Sequence, residues 1–154
     1  MSEPRTLGQM LLQRLQKNPE GKAIGWFEAH EVKSMNFREY GQTIEQLTLA
    51  LMKHGMAVGD RVAILAATAK EWHLMDMAIM CGRGVVIPIY PSYLGFEVKW
   101  LLEHSETSIL VVDNDAQMEK IAANLSDLNN LKLIIALSQL SEETHRKFRN
   151  LIPC

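Results

Sequence analysis

The chain has 154 residues, a net charge of −2, 47% hydrophobic residues and 22% charged residues. Those totals describe one globular domain over residues 1–154, long enough to bury roughly two thirds of its unfolded surface without staples. They argue against a nucleic-acid binder, because the one basic cluster, Arg146, Lys147 and Arg149, is balanced by Glu142 and Glu143 and forms no stripe.

Residues 6–17 read as a first helix, with Thr6 as its cap, Met10, Leu11, Leu12 and Leu15 as an apolar stripe, and Asn18-Pro19 as its end. The segments 22–28 and 32–35 flank the polar turn Ala29-His30-Glu31 and read as a short hairpin anchored by Trp26 and Phe27. Asn36 starts the clearest helix. Asn36 and Glu39 have capping-box spacing, and Phe37, Tyr40, Ile44, Leu47 and Leu51 recur as one buried face. Gly55 supplies a left-handed stop after His54.

Gly59-Asp60 then turns the chain into a continuous apolar strand over 61–66, of the kind found in the middle of a sheet. A helix over 70–81, a Gly82-Arg83-Gly84 break and a second buried strand over 85–90 complete a βαβ unit. Helices over 95–104, 116–125 and 141–151 alternate with strands over 108–112 and 131–137. The expected fold is therefore α/β: a parallel-sheet core with helices on both faces, preceded by an N-terminal helix and a short β-hairpin.

Two cysteines, Cys81 and Cys154, make no disulfide framework, and Cys81 in its apolar helix reads as a small buried hydrophobe. The first ten residues carry no signal-type apolar core, and no run reaches the ~18 apolar residues of a membrane span. The expected compartment is cytoplasmic.

Chemistry-bearing patterns are sparse. Gly82 and Gly84 follow a helix and precede a strand, the reverse of a dinucleotide fingerprint. Gly21-Lys22-Ala23 lacks the hydroxyl residue and the upstream glycine of a phosphate loop. The five histidines show no zinc-motif spacing. His73 and Asp76 sit three apart on one helix, where a local hydrogen bond is expected rather than a catalytic pair. Asp76 itself reads as exposed, since burial would demand a partner such as Arg83. Met75, Met77 and Met80 read as core filler, with a plastic lipid-binding surface as the competing reading. The best functional edge is Tyr90-Pro91-Ser92-Tyr93. It follows the C-terminal end of a sheet strand, where ligands of open α/β sheets bind, and it offers two aromatic rings and hydroxyls to line a pocket.

Several of these segments line up with one family. Met35-Asn36-Phe37-Arg38-Glu39-Tyr40 resembles the first core motif of the adenylate-forming enzymes, and Gly59-Asp60-Arg61-Val62-Ala63-Ile64 resembles the start of their next strand. Glu71-Trp72 and Ala78 fit the following helix. Gly82-Arg83-Gly84-Val85-Val86-Ile87-Pro88 resembles the second core motif, and Pro88-Ile89-Tyr90-Pro91-Ser92 looks most like the long-chain fatty acyl-CoA synthetases. The resemblance covers residues 6–137, and it is the order and spacing of the motifs together that carry it.

What the resemblance implies is part of the large domain of an acyl-CoA synthetase. The intact enzyme activates a fatty acid with ATP and Mg²⁺ to an acyl-adenylate, then passes the acyl group to CoA. A carboxylate becomes an acyl donor only with a phosphate leaving group, and that transfer needs charge-neutralising donors and a metal. The family supplies them through a Thr/Ser/Gly-rich loop ending in Lys, later acidic contacts and a C-terminal-domain Lys, none of which has a counterpart in these 154 residues. No catalytic, cofactor-binding or metal-binding residue is therefore carried over. Tyr90, Ser92 and Tyr93 stand as substrate-binding candidates. The chain is expected to be an N-terminal piece, inactive alone and without a cofactor of its own, with the rest of the synthetase as its partner. Self-association through an unpaired sheet edge is a further expectation. So is peripheral membrane contact, because fatty substrates partition into bilayers, although no basic amphipathic helix argues for it. The competing reading is a stand-alone α/β interaction or ligand-binding module, using Tyr90 to Tyr93 or the Met-rich helix.

Overall fold

A computed structural model describes residues 6–149. The chain divides into two compact units, Met1–Val58 with Thr68–Gly84, and Gly59–Ala67 with Val85–Cys154.

The first unit holds α1 (Leu7–Lys17), the hairpin β1 (Lys22–Glu28) and β2 (Glu31–Asn36), α2 (Phe37–Lys53) and α3 (Lys70–Cys81). The Thr6 hydroxyl accepts the Gln9 N–H at 3.2 Å and starts α1 as expected. At α2 the capping box is complete, with Asn36 Oδ1 accepting the Glu39 N–H at 2.8 Å and Glu39 Oε2 accepting the Asn36 N–H at 2.9 Å. The α2 face closes the small core of this unit. Tyr40 and Ile44 meet Leu74 of α3, with Leu11, Ile24, Met35 and Met77 packed around them. Thr48 Oγ1 donates to the Ala78 carbonyl at 3.0 Å and ties α2 to α3.

The hairpin corrects one expectation. Neighbouring strand residues face opposite sides, so only one of Trp26 and Phe27 can turn inward. Trp26 does, under the Lys70 ammonium at 4.5 Å, while Phe27 is 82% exposed. The α1 stripe is covered only in part, with Leu11 packed against the small core. No described residue of α1 is buried, and Met10 and Leu12 are exposed.

Three helices end alike. In α2, Gly55 N–H donates to Met52 O and Met56 N–H to Leu51 O; in α3, Arg83 to Met80 O and Gly84 to Ile79 O; in α4 (Gly95–His104), Glu106 to Glu103 O and Thr107 to Leu102 O. These are paired Schellman bonds around a left-handed residue. The left-handed residue is glycine only in the first case: φ is +99° at Gly55, +63° at Arg83 and +50° at Glu106. The expected glycine stop at 82–84 is thus executed by Arg83. Gly84 provides room, since a Cβ there would lie 2.8 Å from Ile79 Cγ2.

The second unit is a four-stranded sheet in the order β4-β3-β5-β6, parallel throughout, formed by β3 (Arg61–Leu65), β4 (Val85–Ile89), β5 (Ile109–Val112) and β6 (Leu133–Ala136). On one face Ala63, Leu65, Leu110 and Val112 pack with Val98 and Leu102 of α4, Met118 and Ile121 of α5 (Asp115–Ala122), and Phe148 of α6 (Glu142–Arg149). Val62, Ile64, Ile109 and Val111, on the opposite face, are also buried. Both faces are covered, which is why these strands read as unbroken apolar runs. Each fully buried branched side chain contributes about 1.5–3 kcal/mol. The fold is the α/β architecture expected, with shorter ends. A 3₁₀ turn at Leu125–Asp127 takes the place of the last turn assigned to α5, and Leu131 and Leu137 flank β6 rather than belong to it. Residues 150–151 of the expected last helix, and Cys154, lie outside the described residues.

Candidate functional site

The 90–93 segment leaves the sheet at its edge. Among the described residues β4 pairs only with β3, and an edge strand tolerates Pro88, which has no N–H to give to a ladder. Beyond Ile89 the chain makes a turn closed by the Tyr93 N–H donating to the Tyr90 carbonyl at 3.1 Å. Glu97 Oε2 then accepts the Leu94 N–H at 2.7 Å and starts α4. Lys120 of α5 donates its ammonium to the Pro91 carbonyl. That reach depends on Gly95, where a Cβ would sit 2.7 Å from the Lys120 carbonyl oxygen.

The structure brings two of the three candidate residues into contact. The Tyr90 and Tyr93 rings meet edge-on at 5.8 Å and 72°. Tyr93 packs against the core of its unit, whereas Tyr90 is 69% exposed. Ser92 is exposed, and its hydroxyl has no hydrogen-bond partner among the described residues. The edge therefore presents one fixed ring, one open ring and one open hydroxyl.

Asp113, the residue directly after β5, belongs to the same end of the sheet. The chain runs from β3 to β4 on one side and returns to β5 on the other, so the strand order reverses between β3 and β5. Ligands of open α/β sheets bind at such a reversal. Asp113 Oδ2 accepts the Ala67 N–H at 2.8 Å across it, while Oδ1 is buried with no partner among the described residues. The Ser138 hydroxyl donates to the Asp113 carbonyl. Adjacent strands lie 4.7–4.9 Å apart, so the β4 and β5 ends are separated by roughly 10 Å. A carboxylate directly after a buried apolar strand was the available signal.

The other titratable cluster lies in the first unit. His73 Nε2 and Tyr40 Oη are 2.9 Å apart, with the rings stacked at 5.7 Å. The expected His73–Asp76 hydrogen bond is replaced by this one, because Tyr40 on the facing helix presents both a ring and a hydroxyl. Burial, with smaller contributions from Cys81 and Asp76, pushes the Tyr40 hydroxyl up to about 12. Asp76 is half-buried rather than exposed. Burial raises its carboxyl above the usual range, and the nearby His73 partly opposes that shift. Arg83 is not its partner: the guanidinium makes no hydrogen bond or ion pair among the described residues. Cys81 is half-buried, its thiol raised by burial. Met75 is buried and Met77 joins the small core, as filler, but Met80 lines a cavity of about 900 Å³ beside α1.

The fit to the nucleotide chemistry is poor. Among the described residues no group of three His, Cys, Asp or Glu could hold a metal ion. The turns after β3, β4 and β5 begin Ala66-Ala67, Tyr90-Pro91 and Asp113-Asn114, without the glycines that let backbone amides cradle a phosphate. No described helix is long and apolar enough to cross a membrane.

A family model described as AMP-binding enzyme matches residues 11–151. The long-chain-fatty-acid–CoA ligase FadD15 of Mycobacterium bovis is 30% identical over 100 residues, 65% of this chain and 17% of that protein. The long-chain-fatty-acid–CoA ligase heimdall of Drosophila melanogaster is 29% identical over 138 residues, 87% of this chain and 20% of its own. The chain thus spans no more than about a fifth of the length of these relatives. Among solved structures, the N-terminal domain of FACL13 from Mycobacterium tuberculosis aligns with a TM-score of 0.76 at 20% identity, covering 95% of this chain and 36% of that one. A long-chain-fatty-acid-CoA ligase, FadD1, from Archaeoglobus fulgidus aligns with a TM-score of 0.77 at 19% identity, covering 97% and 31%. At these identities the structural likeness is one of fold.

Proposed function

The chain belongs to the AMP-binding enzyme family, and on that basis we propose that it is the N-terminal portion of the large domain of a long-chain fatty acid–CoA ligase. The match over residues 11–151 carries this reading, and the long-chain ligases among its relatives support the substrate class. In the intact enzyme a fatty acid is activated with ATP and Mg²⁺ and transferred to CoA. The described residues lack both a phosphate-cradling turn and a metal cluster, so the groups that hold ATP and Mg²⁺ come from the remainder of such an enzyme. Alone, this polypeptide neither adenylates fatty acids nor binds ATP tightly.

Its contribution is a scaffold and one edge. The parallel sheet sets the strand reversal, and Tyr90, Ser92 and Tyr93 at the end of β4 face substrate once the remaining chain is in place. Peripheral contact with the membranes that store fatty acids belongs to the same reading, as does self-association through the open edge of β4. The gene tests it. An open frame continuing past the Cys154 codon into a Thr/Ser/Gly-rich loop ending in Lys is the expected result. A stop codon immediately after Cys154 would favour a non-catalytic binding module, a reading to which the cavity beside α1 lends some support.

A further inference from the structure

We propose that the first unit carries a binding site for a single-chain amphiphile with a singly charged anionic head, seated in the cavity beside α1. The cavity measures about 900 Å³ and is lined by α1, α2 and the C-terminal end of α3. That volume is within the range of small-molecule sites, which are mostly apolar with a few placed polar groups. The lining fits the description: Leu11, Leu12 and Leu15 from α1, Leu49 from α2 and Met80 from α3. Leu12 and Leu49 are each 60% exposed, so the lining leaves apolar surface uncovered.

The charged lining residues are Arg38, Glu45 and Arg83. Arg38 is already engaged, with Nε and Nη2 donating to Glu20 Oε1 at 2.9 and 2.6 Å. The Arg83 side chain has no hydrogen-bond or ion partner among the described residues. Its backbone is fixed by the Schellman bonds at the end of α3, so the free guanidinium is tethered beside the cavity that Arg83 lines. A guanidinium presents a planar fork of donors matched to a carboxylate or a similar oxyanion. Glu45, also without a partner among the described residues, disfavours a head of higher negative charge. An apolar cavity whose lining includes one uncommitted arginine is complementary to an alkyl chain carrying one oxyanion. The site is separate from the Tyr90–Tyr93 edge and does not depend on the ligase reading.

The test is calorimetric titration of the 154-residue chain with dodecanoate, below its micelle concentration, and with the uncharged dodecanol. Saturable binding of one dodecanoate per chain is expected. Arg83→Gly removes the charge while relaxing a positive φ, so the fold is retained. It should weaken dodecanoate about tenfold and leave dodecanol unchanged. Glu45→Gln should tighten dodecanoate. Leu12→Glu and Leu49→Glu, at two exposed lining positions on different helices, should each abolish binding of both probes, with circular dichroism confirming that at least one variant stays folded. Absence of saturable binding, or binding that the two glutamate variants leave intact, overturns the site. Binding that they abolish but Arg83→Gly does not weaken overturns the anionic head.

Discussion

Asp113 Oδ2 accepts the backbone N–H of Ala67 at 2.8 Å and so bridges the ends of β3 and β5, where the strand order reverses. The amide lies beyond the last ladder pair, Leu65 with Val112, and the carboxylate supplies the acceptor that the sheet no longer provides. Asp113→Ala should lower stability by about 1 kcal/mol, below the usual range for a charge-assisted bond because Ala67 is exposed enough for water to compete. Asp113→Asn keeps an acceptor and should cost less. Urea unfolding of the two variants separates the outcomes, and equal losses would show that the bond contributes nothing.

The left-handed residues at Arg83 and Glu106 hold non-glycine side chains in a conformation that costs roughly 1–2 kcal/mol. Arg83→Gly should therefore raise stability by about 1 kcal/mol. Glu106→Gly should gain less, since it also removes the ion pair with Arg61, an exposed pair worth about 0–1 kcal/mol. Gly55→Ala, at φ +99°, should destabilise. Thermal melts of the three variants would check the order, and a destabilised Arg83→Gly would contradict it.

Stability should fall in alkali through Tyr40. Its hydroxyl titrates at about 12 in the folded chain against a reference of 10.0. Between those values the unfolded chain has lost a proton that the folded chain keeps, so rising pH favours unfolding. Tyr40→Phe should lose the 2.9 Å bond to His73, at about 1 kcal/mol near neutral pH. The same variant should also show a flatter decline in urea midpoint from pH 10 to 12. A wild-type decline that Tyr40→Phe leaves unchanged would assign it to other groups.

The sheet was legible because its strands are buried on both faces. Val62 to Leu65 and Ile109 to Val112 are continuous apolar runs with no competing helical period. Capping chemistry at Thr6 and Asn36 is local, and it was legible too. What escaped depends on distant partners. Phe27 looks as apolar as Trp26, and only the pairing of β1 with β2 decides which turns inward. Arg83 and Glu106 take left-handed backbone through the bonds around them, with no glycine to announce it. His73 finds Tyr40 across 33 residues instead of Asp76 across three. Tyr90 to Tyr93 could be placed after a strand, but the Asp113–Ala67 bridge follows from strand order, which no local pattern encodes. The α1 leucines were visible as a stripe, and the cavity they line was not.

The most direct measurement is fatty-acid-dependent exchange of labelled pyrophosphate into ATP by the purified 154-residue chain with Mg²⁺ and palmitate. The expected result is no exchange above a protein-free blank, because the described residues offer neither a phosphate-cradling turn nor a metal cluster. Exchange near the ~10 s⁻¹ typical of enzymes, abolished when palmitate is withheld, would contradict it and place the whole activation step within these residues.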